Sequence, residues 1–250
     1  SACCSRLIHH HVTDNAPVIQ RLLAADAILL GKNNMDQLSM GSSTITSCFY
    51  PSKNPWDLSK TPGGSSGGGA AGVAALESCF ALGSVTGGSI RQPASYCGLV
   101  GCKPSFGNIA AEGLLALAPT FDQIGPLTKT VADMACVLDV AVEQKPNIAY
   151  SKKITEALPH FTVGVPKEYF HAGLRAEVKS CVLQAVAVLE KIGLRVQEVS
   201  LPLTQYCLPD YCLLTPVEFL PIFDQLQEMA GDENGDWGLE VKTRVLTGAF

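Results

Sequence analysis

Two serines set among glycines constrain this chain more than any other feature. Residues 61–103 carry Gly63-Gly64-Ser65-Ser66-Gly67-Gly68-Gly69 and then Thr86-Gly87-Gly88-Ser89. Ser65 and Ser89 stand 24 positions apart (89 − 65), with an Ala/Val/Leu run and a short apolar strand signal between them. Glycine reaches backbone conformations that other residues resist, and it allows a reacting group to approach the main chain closely. A serine that follows paired glycines and opens a helix lies among N–H groups without a helical carbonyl partner. Such donors suit a developing oxyanion as well as a phosphate. Taken alone, the first run would serve equally as a flexible Gly/Ser linker. The second serine turn and the apolar segments that flank it argue against a linker.

The surrounding pattern predicts alternating helices and strands. Thr13-Asp14-Asn15 offers a cap and Pro17 a first-turn residue for a helix with Ile19, Leu22 and Leu23 on its apolar face. Residues 27–30 read as a buried strand ended by Gly31, and residues 33–43 as a short helix and a loop entering the serine region. A small-residue helix follows at 70–78, a strand at 80–85 and a second helix at 89–96. Ser89 is thereby expected at a strand-to-helix junction, where α/β proteins tend to place ligands. Residues 122–128 read as a loop, and Val131, Met134, Ala135, Leu138 and Val140 as a helical face. Residues 145–153 read as an irregular polar link.

The last third repeats the alternation. Strands are expected at 161–165 and 194–199 around a helix at 176–192, whose stripe is Val178, Val182, Val186 and Leu189. Helices are expected at 217–229 and 239–246, with the acidic loop 231–236 between them. This order implies a parallel or mixed α/β sheet with helices on both sides.

Composition excludes several classes. The 250 residues are 47% hydrophobic and 16% charged, ordinary for a globular chain able to bury a sizeable core. A net charge of −5 gives no basic surface for nucleic acid. No run approaches the 18 apolar residues of a membrane span, and the first residues lack a signal-peptide layout. The ten cysteines contain no CxxC pair. They read as buried free thiols of a reducing compartment, bacterial cytoplasm or organelle matrix, rather than as metal ligands. His9-His10-His11 read as surface loop, and no metal site is expected.

The blocks PGGSSGGG (62–69), LGSVTGGSIRQPASYCGLVGCKPSFG (82–107) and DQIGPLTKTVAD (122–133) resemble the amidase signature family. The likeness continues in LLGKNNMDQLSMGSS (29–43), NPWD (54–57), VGVPKEYF (163–170), VSLPLTQYCLPDY (199–211) and GLEVKTRVLTGAF (238–250). These blocks are most similar to the branch formed by the A subunits of glutamyl-tRNA(Gln) amidotransferase. The resemblance implies a central mixed sheet wrapped by helices, one signature domain over residues 1–250 truncated at both ends, and a Ser–cis-Ser–Lys triad. By position, Ser89 would be the nucleophile and Ser65, preceded by a cis peptide bond, the bridging serine. The N–H groups of Thr86, Gly87, Gly88 and Ser89 would form the oxyanion hole. A serine hydroxyl needs a neighbouring base, and a lysine can act as one when burial keeps it neutral.

In the family that lysine precedes the first serine turn, before Ser1 of this chain. Residues alone would nominate Lys32 or Lys103, but neither matches the triad position. The branch implies glutamine as substrate, with amidotransferase B and C subunits as partners. It implies that Glu-tRNA(Gln) is held mainly through a partner, and that ATP and Mg²⁺ are used there; no cofactor is implied in this chain. Departures occur at Val85, where the family usually has aspartate, at Gly69, across residues 108–112 and across residues 219–227. They leave open a stand-alone amidase on another small amide and a non-catalytic scaffold.

Overall fold

The structure is a computed structural model that describes residues 2–143, 149–157, 161–231 and 235–249. The chain divides into two compact units, residues 1–155 with 213–250, and residues 156–212.

In the first unit, helix α1 (Pro17–Ala24) starts at the expected proline. Its cap is Ala16, without a side-chain hydrogen bond, and its buried residues are Val18 and Leu22. The expected Thr13-Asp14-Asn15 cap and a Leu23-bearing face are therefore corrected. Val18 and Leu22 win the interior because they meet Ile109, Ile124, Val137 and Ala141. A short 3₁₀ turn at Gln37–Ser39 lies within the expected helix-and-loop segment. Helix α2 (Gly67–Ala74) leads to strand β1 (Phe80–Val85), which matches its expected bounds. Helix α3 (Arg91–Cys97) follows, closed by Gly98 in the left-handed region at φ 68°. Next come the two-residue strand β2 (Val100–Gly101) and strand β3 (Gln123–Thr128).

β3 is the centre of a three-stranded antiparallel sheet, β1-β3-β2, and all six of its residues are buried. The loop expected at 122–128 is thus a strand. Gly125 and Pro126 disguise it, since both are poor strand residues. Tertiary pairing overrides them: Gly83 lies opposite Gly125, and Cys102 N donates to the Pro126 carbonyl at 3.1 Å. No Cβ fits at Gly125, where the Cys102 carbonyl approaches.

Helix α4 (Val131–Ala141) begins with a capping box in which Thr130 and Asp133 satisfy each other's backbone N–H. Residues 145–148 of the expected polar link lie outside the described residues, whereas Tyr150–Lys153 form the one-turn helix α5. The strand expected at 27–30 is absent; Ala27 is half-buried, and the rest is open to solvent, with Ile28 85% and Leu30 72% exposed. The pattern marks an apolar extended segment, but no described strand pairs with it.

The second unit holds strand β4 (Thr162–Pro166), helix α6 (Ala176–Lys191) and strand β5 (Arg195–Val199), a parallel βαβ arrangement whose helix ends at Gly193 with φ +97°. Val178 and Val182 of the expected stripe are exposed. The 27-residue helix α7 (Thr204–Ala230) continues through Pro209, Pro216 and Pro221. It contains the helix expected at 217–229, and it passes from the second unit into the first at Leu213. Helix α8 (Leu239–Gly248) closes the first unit, and residues 232–234 of the acidic loop lie outside the described residues.

All ten cysteines are free. Cys3, Cys4 and Cys97 are buried, but six are exposed, so the expectation of mostly buried thiols is corrected. Cys181 lies on an uncovered face of α6, and Cys207 and Cys212 lie in the first half of α7. His9-His10-His11 sit in a loop, as expected. No described helix is long and apolar enough to cross a membrane.

Candidate active site

The first serine turn is held by its main chain. Gly63, at φ +85°, has no room for a Cβ, which would lie 2.8 Å from Pro93 Cα. Its carbonyl accepts from Thr44 Oγ1 at 2.7 Å. Gly64 N donates to Gln92 Oε1 at 2.9 Å, and Gln92 Nε2 donates to the Ser42 carbonyl at 3.0 Å. The Ser65 carbonyl accepts from Asp36 N at 3.2 Å. The expected cis peptide bond is present between Gly64 and Ser65.

Asp36 is the hub of this clamp. Its buried carboxylate accepts from Thr44 N (2.8 Å), Ser43 N (3.1 Å), Thr46 N (3.3 Å) and Thr46 Oγ1 (3.0 Å). Four donors offset the desolvation of a buried carboxylate. A Cβ on Gly64 would overlap Asp36 Oδ2, so glycine is required there by close approach.

The two turns are sewn together at their serines. Ser66 N donates to the Ser89 carbonyl at 3.1 Å. Ser66 Oγ donates to the Ser84 carbonyl (3.2 Å) and accepts from Ser84 N (3.3 Å), fixing the first turn to the end of β1. Ser65 itself is fully buried, and its Oγ has no hydrogen-bond partner among the described residues. A buried hydroxyl without a partner costs about 1–3 kcal/mol and calls for an explanation.

The second turn leaves its donors free. Among the described residues, the N–H groups of Thr86, Gly87, Gly88 and Ser89 have no hydrogen-bond acceptor. Gly87 and Gly88 are exposed and Ser89 is half-buried, so a reactant can reach them. The carbonyls face the other way: Gly87 O accepts from Arg91 Nη2 at 2.5 Å, and Gly88 O from Gln92 N at 2.8 Å. Thr86 Oγ1 donates to Asp122 Oδ1 at 2.5 Å. Val85 turns into an apolar cluster with Val73, Ile90 and Leu127. A serine on a turn whose N–H groups are free offers the two elements that acyl transfer requires, a nucleophile and oxyanion donors.

Behind this region the Cys97 thiol donates to the Pro62 carbonyl at 3.5 Å. Burial pushes the Cys97 thiol up to about 11, so it stays protonated near neutral pH. Burial raises Cys102 as well, partly offset by Lys103.

The structure therefore brings Ser65, Thr86, Gly87, Gly88 and Ser89 into one neighbourhood. Lys32 is exposed, and Lys103 Nζ donates to the Pro104 carbonyl at 3.3 Å; neither bonds to a site serine. Residue reading missed Asp36, Gln92 and Asp122 as parts of the site. Each lies in a block that carries the resemblance, but only the fold brings their side chains onto the serine turns.

Comparison with known proteins places the fold in a family. The amidase family matches residues 1–247, and the chain belongs to that family. It is 42% identical to the A subunit of glutamyl-tRNA(Gln) amidotransferase from Moorella thermoacetica, covering all of this chain and 56% of that protein. The corresponding protein of Halothermothrix orenii is also 42% identical, with 58% of it covered. The chain thus spans a little over half the length of these relatives. Among solved structures, the A subunit from Thermotoga maritima superimposes with a TM-score of 0.82 at 36% identity, over 99% of this chain and 55% of that one. A 6-aminohexanoate cyclic dimer hydrolase gives 0.89 at 26% identity, over 99% and 56%.

Proposed function

We propose that these residues form the nucleophile half of a glutaminase, the A subunit of a glutamyl-tRNA(Gln) amidotransferase. The observation that carries the reading is that Ser89, among free N–H groups, is joined through the Ser66 N–Ser89 carbonyl bond to a turn whose Ser65 hydroxyl is buried and unpartnered. Similarity to such A subunits along the whole chain supports the choice of substrate.

Ser89 Oγ attacks the carboxamide carbon of glutamine, and its proton passes through Ser65 Oγ to a neutral lysine supplied from outside these 250 residues. The N–H groups of Thr86, Gly87, Gly88 and Ser89 take the oxyanion of the tetrahedral intermediate. Collapse of that intermediate breaks the C–N bond, and the departing ammonia takes the proton back. A glutamyl ester remains on Ser89, and water hydrolyses it by the same relay in reverse. Partner B and C subunits use the ammonia to convert Glu-tRNA(Gln) to Gln-tRNA(Gln), with ATP and Mg²⁺ consumed in the partner and the tRNA held mainly there. The compartment is cytoplasmic, or an organelle matrix.

The test is Ser89→Ala in the full-length protein. Glutamine hydrolysis is expected to vanish while the melting temperature stays within a few degrees; retained hydrolysis would remove Ser89 from the mechanism. A second reading, an amidase acting alone on another small amide, draws on the TM-score of 0.89 to a cyclic amide hydrolase. Co-purification of stoichiometric partner subunits separates the two.

A further inference from the structure

The loop that offers the free N–H groups contains two consecutive glycines, Gly87 and Gly88, both exposed. Such a segment has more backbone freedom than any other dipeptide, yet an oxyanion hole works only if its donors are aimed before the charge develops. The far end of the loop is pinned by Ser66 N on the Ser89 carbonyl and by Gln92 N on the Gly88 carbonyl. Its near end is Thr86, the first residue after β1, and the Thr86 N–H is among the free donors. What holds Thr86 is the side chain of Asp122, the residue just before β3, the strand paired with β1.

Asp122 is buried and divides its carboxylate between two tasks. Oδ2 accepts from Leu117 N (2.7 Å) and Ala118 N (3.0 Å), so the group is fixed by main chain on one side. Oδ1 accepts from Thr86 Oγ1 at 2.5 Å, a charge-assisted bond. The neighbouring Gln123 is anchored as firmly. It donates from Nε2 to the Ile109 and Ile124 carbonyls (3.0 and 2.9 Å) and accepts from Gly107 N (2.9 Å). Three donors converge on Asp122, and the Thr86 hydroxyl stands between the carboxylate and the loop.

We infer that Asp122 is a positioning residue for the oxyanion hole, acting through the Thr86 hydroxyl. The inference rests on the reading of Ser89 as the nucleophile. It assigns to the Thr86 side chain a role separate from that of its N–H. Loss of the hydroxyl frees the near end of the Gly87-Gly88 segment. The N–H array then has to be ordered during each reaction, which slows attack at Ser89 and leaves ground-state binding largely intact.

The test uses full-length protein and an alkyl fluorophosphonate, which needs no assumption about the amide substrate. Ser89 Oγ forms the P–O bond, fluoride leaves with the P–F electrons, and the serine proton goes to the base. Labelling of Ser89 is followed by mass spectrometry, beside kcat and KM for glutamine. Thr86→Val is expected to slow phosphonylation about 10- to 100-fold and to lower kcat by a similar factor, with KM within about threefold. Thr86→Ser, which keeps the hydroxyl, is expected to restore both to within about threefold. Asp122→Asn, which cannot serve all three donors, is expected to fall with Thr86→Val, and the double variant to lose no more than the worse single. Wild-type labelling rates in Thr86→Val, or equal losses in Thr86→Ser and Thr86→Val, would overturn the inference. Absence of Ser89 labelling in the wild type would instead overturn the nucleophile reading, and this inference with it.

Discussion

At the scale of single residues, close packing around the serine turns leaves little tolerance for added atoms. A methyl group at Gly64 would run into Asp36 Oδ2 and lie 2.6 Å from Ser43 N, two atoms already hydrogen-bonded to each other. Gly64→Ala is expected to destabilise the protein by about 2 kcal/mol or more, since neither the carboxylate nor the main chain can yield without losing hydrogen bonds. An unchanged urea midpoint for that variant would contradict the clamp around Asp36. The buried Cys97 thiol gives a pH signature. Its folded pKa is raised from 9.0 to about 11, so both states are protonated below pH 9 and its contribution there is constant. Between pH 9 and 11 the unfolded chain releases the proton and the folded one retains it, so stability falls as pH rises. Urea midpoints across that window should drop more steeply for the wild type than for Cys97→Ala, and parallel slopes would refute it.

These residues also show what the sequence reveals about a site. Ser65 and Ser89 are legible because glycine before serine has a local meaning. The departure at Val85 has a physical account: the side chain fills the cluster of Val73, Ile90 and Leu127. Phe219, first of the departing run 219–227, is fully buried and packs beside Phe223, which meets Trp237 edge-on with centroids 5.0 Å apart. That run therefore serves the core. Asp36 and Asp122 carry no local signature, because a carboxylate in a loop acquires its role only from the donors that the fold brings to it.

At the scale of elements, local signals hold where side chains and backbone agree. β1 and the helix at Val131–Ala141 stand where alternation and helical spacing place them. The capping box of that helix is exposed, so its contribution can be isolated. Thr130→Ala is expected to cost about 1 kcal/mol in chemical denaturation without changing the cooperativity of unfolding. A loss below about 0.3 kcal/mol would show that solvent replaces the cap. Local signals mislead where pairing or packing opposes them. β3 contains Gly125 and Pro126 and still forms the middle of the sheet. Helix Thr204–Ala230 runs through three prolines. Residues 27–30 have the composition of a strand and lack a described partner to make one.

At the scale of the whole molecule, burial is uneven. Among the described residues, three apolar clusters lie in the unit formed by residues 1–155 and 213–250, one of them packed around β1 beside the serine turns. Among the described residues of the other unit, Leu194 is the one buried side chain, and Val182, Leu183 and Val188 of α6 are exposed. Local opening costs least where few apolar contacts must be broken. Amides of β4, α6 and β5 are expected to exchange with deuterium well before those of β1 and β3, measured by mass spectrometry on this 250-residue chain. Equal protection in the two regions would contradict this reading of their packing.

The sequence by itself determined the chemistry on offer. It specified two glycine-flanked serines, the strand-to-helix turn that presents one of them, and the alternation of strand and helix that places the family. Those features depend on neighbours a few positions apart, and backbone preference and side-chain periodicity act over that range. The tertiary structure decided which strand lies at the centre, which carboxylates hold the turns, and that Ser66 joins the two turns while the Ser65 hydroxyl stays unpartnered. Those outcomes depend on hydrogen bonds between residues tens of positions apart. No local preference encodes them, because each donor finds its acceptor only after the chain has folded back on itself.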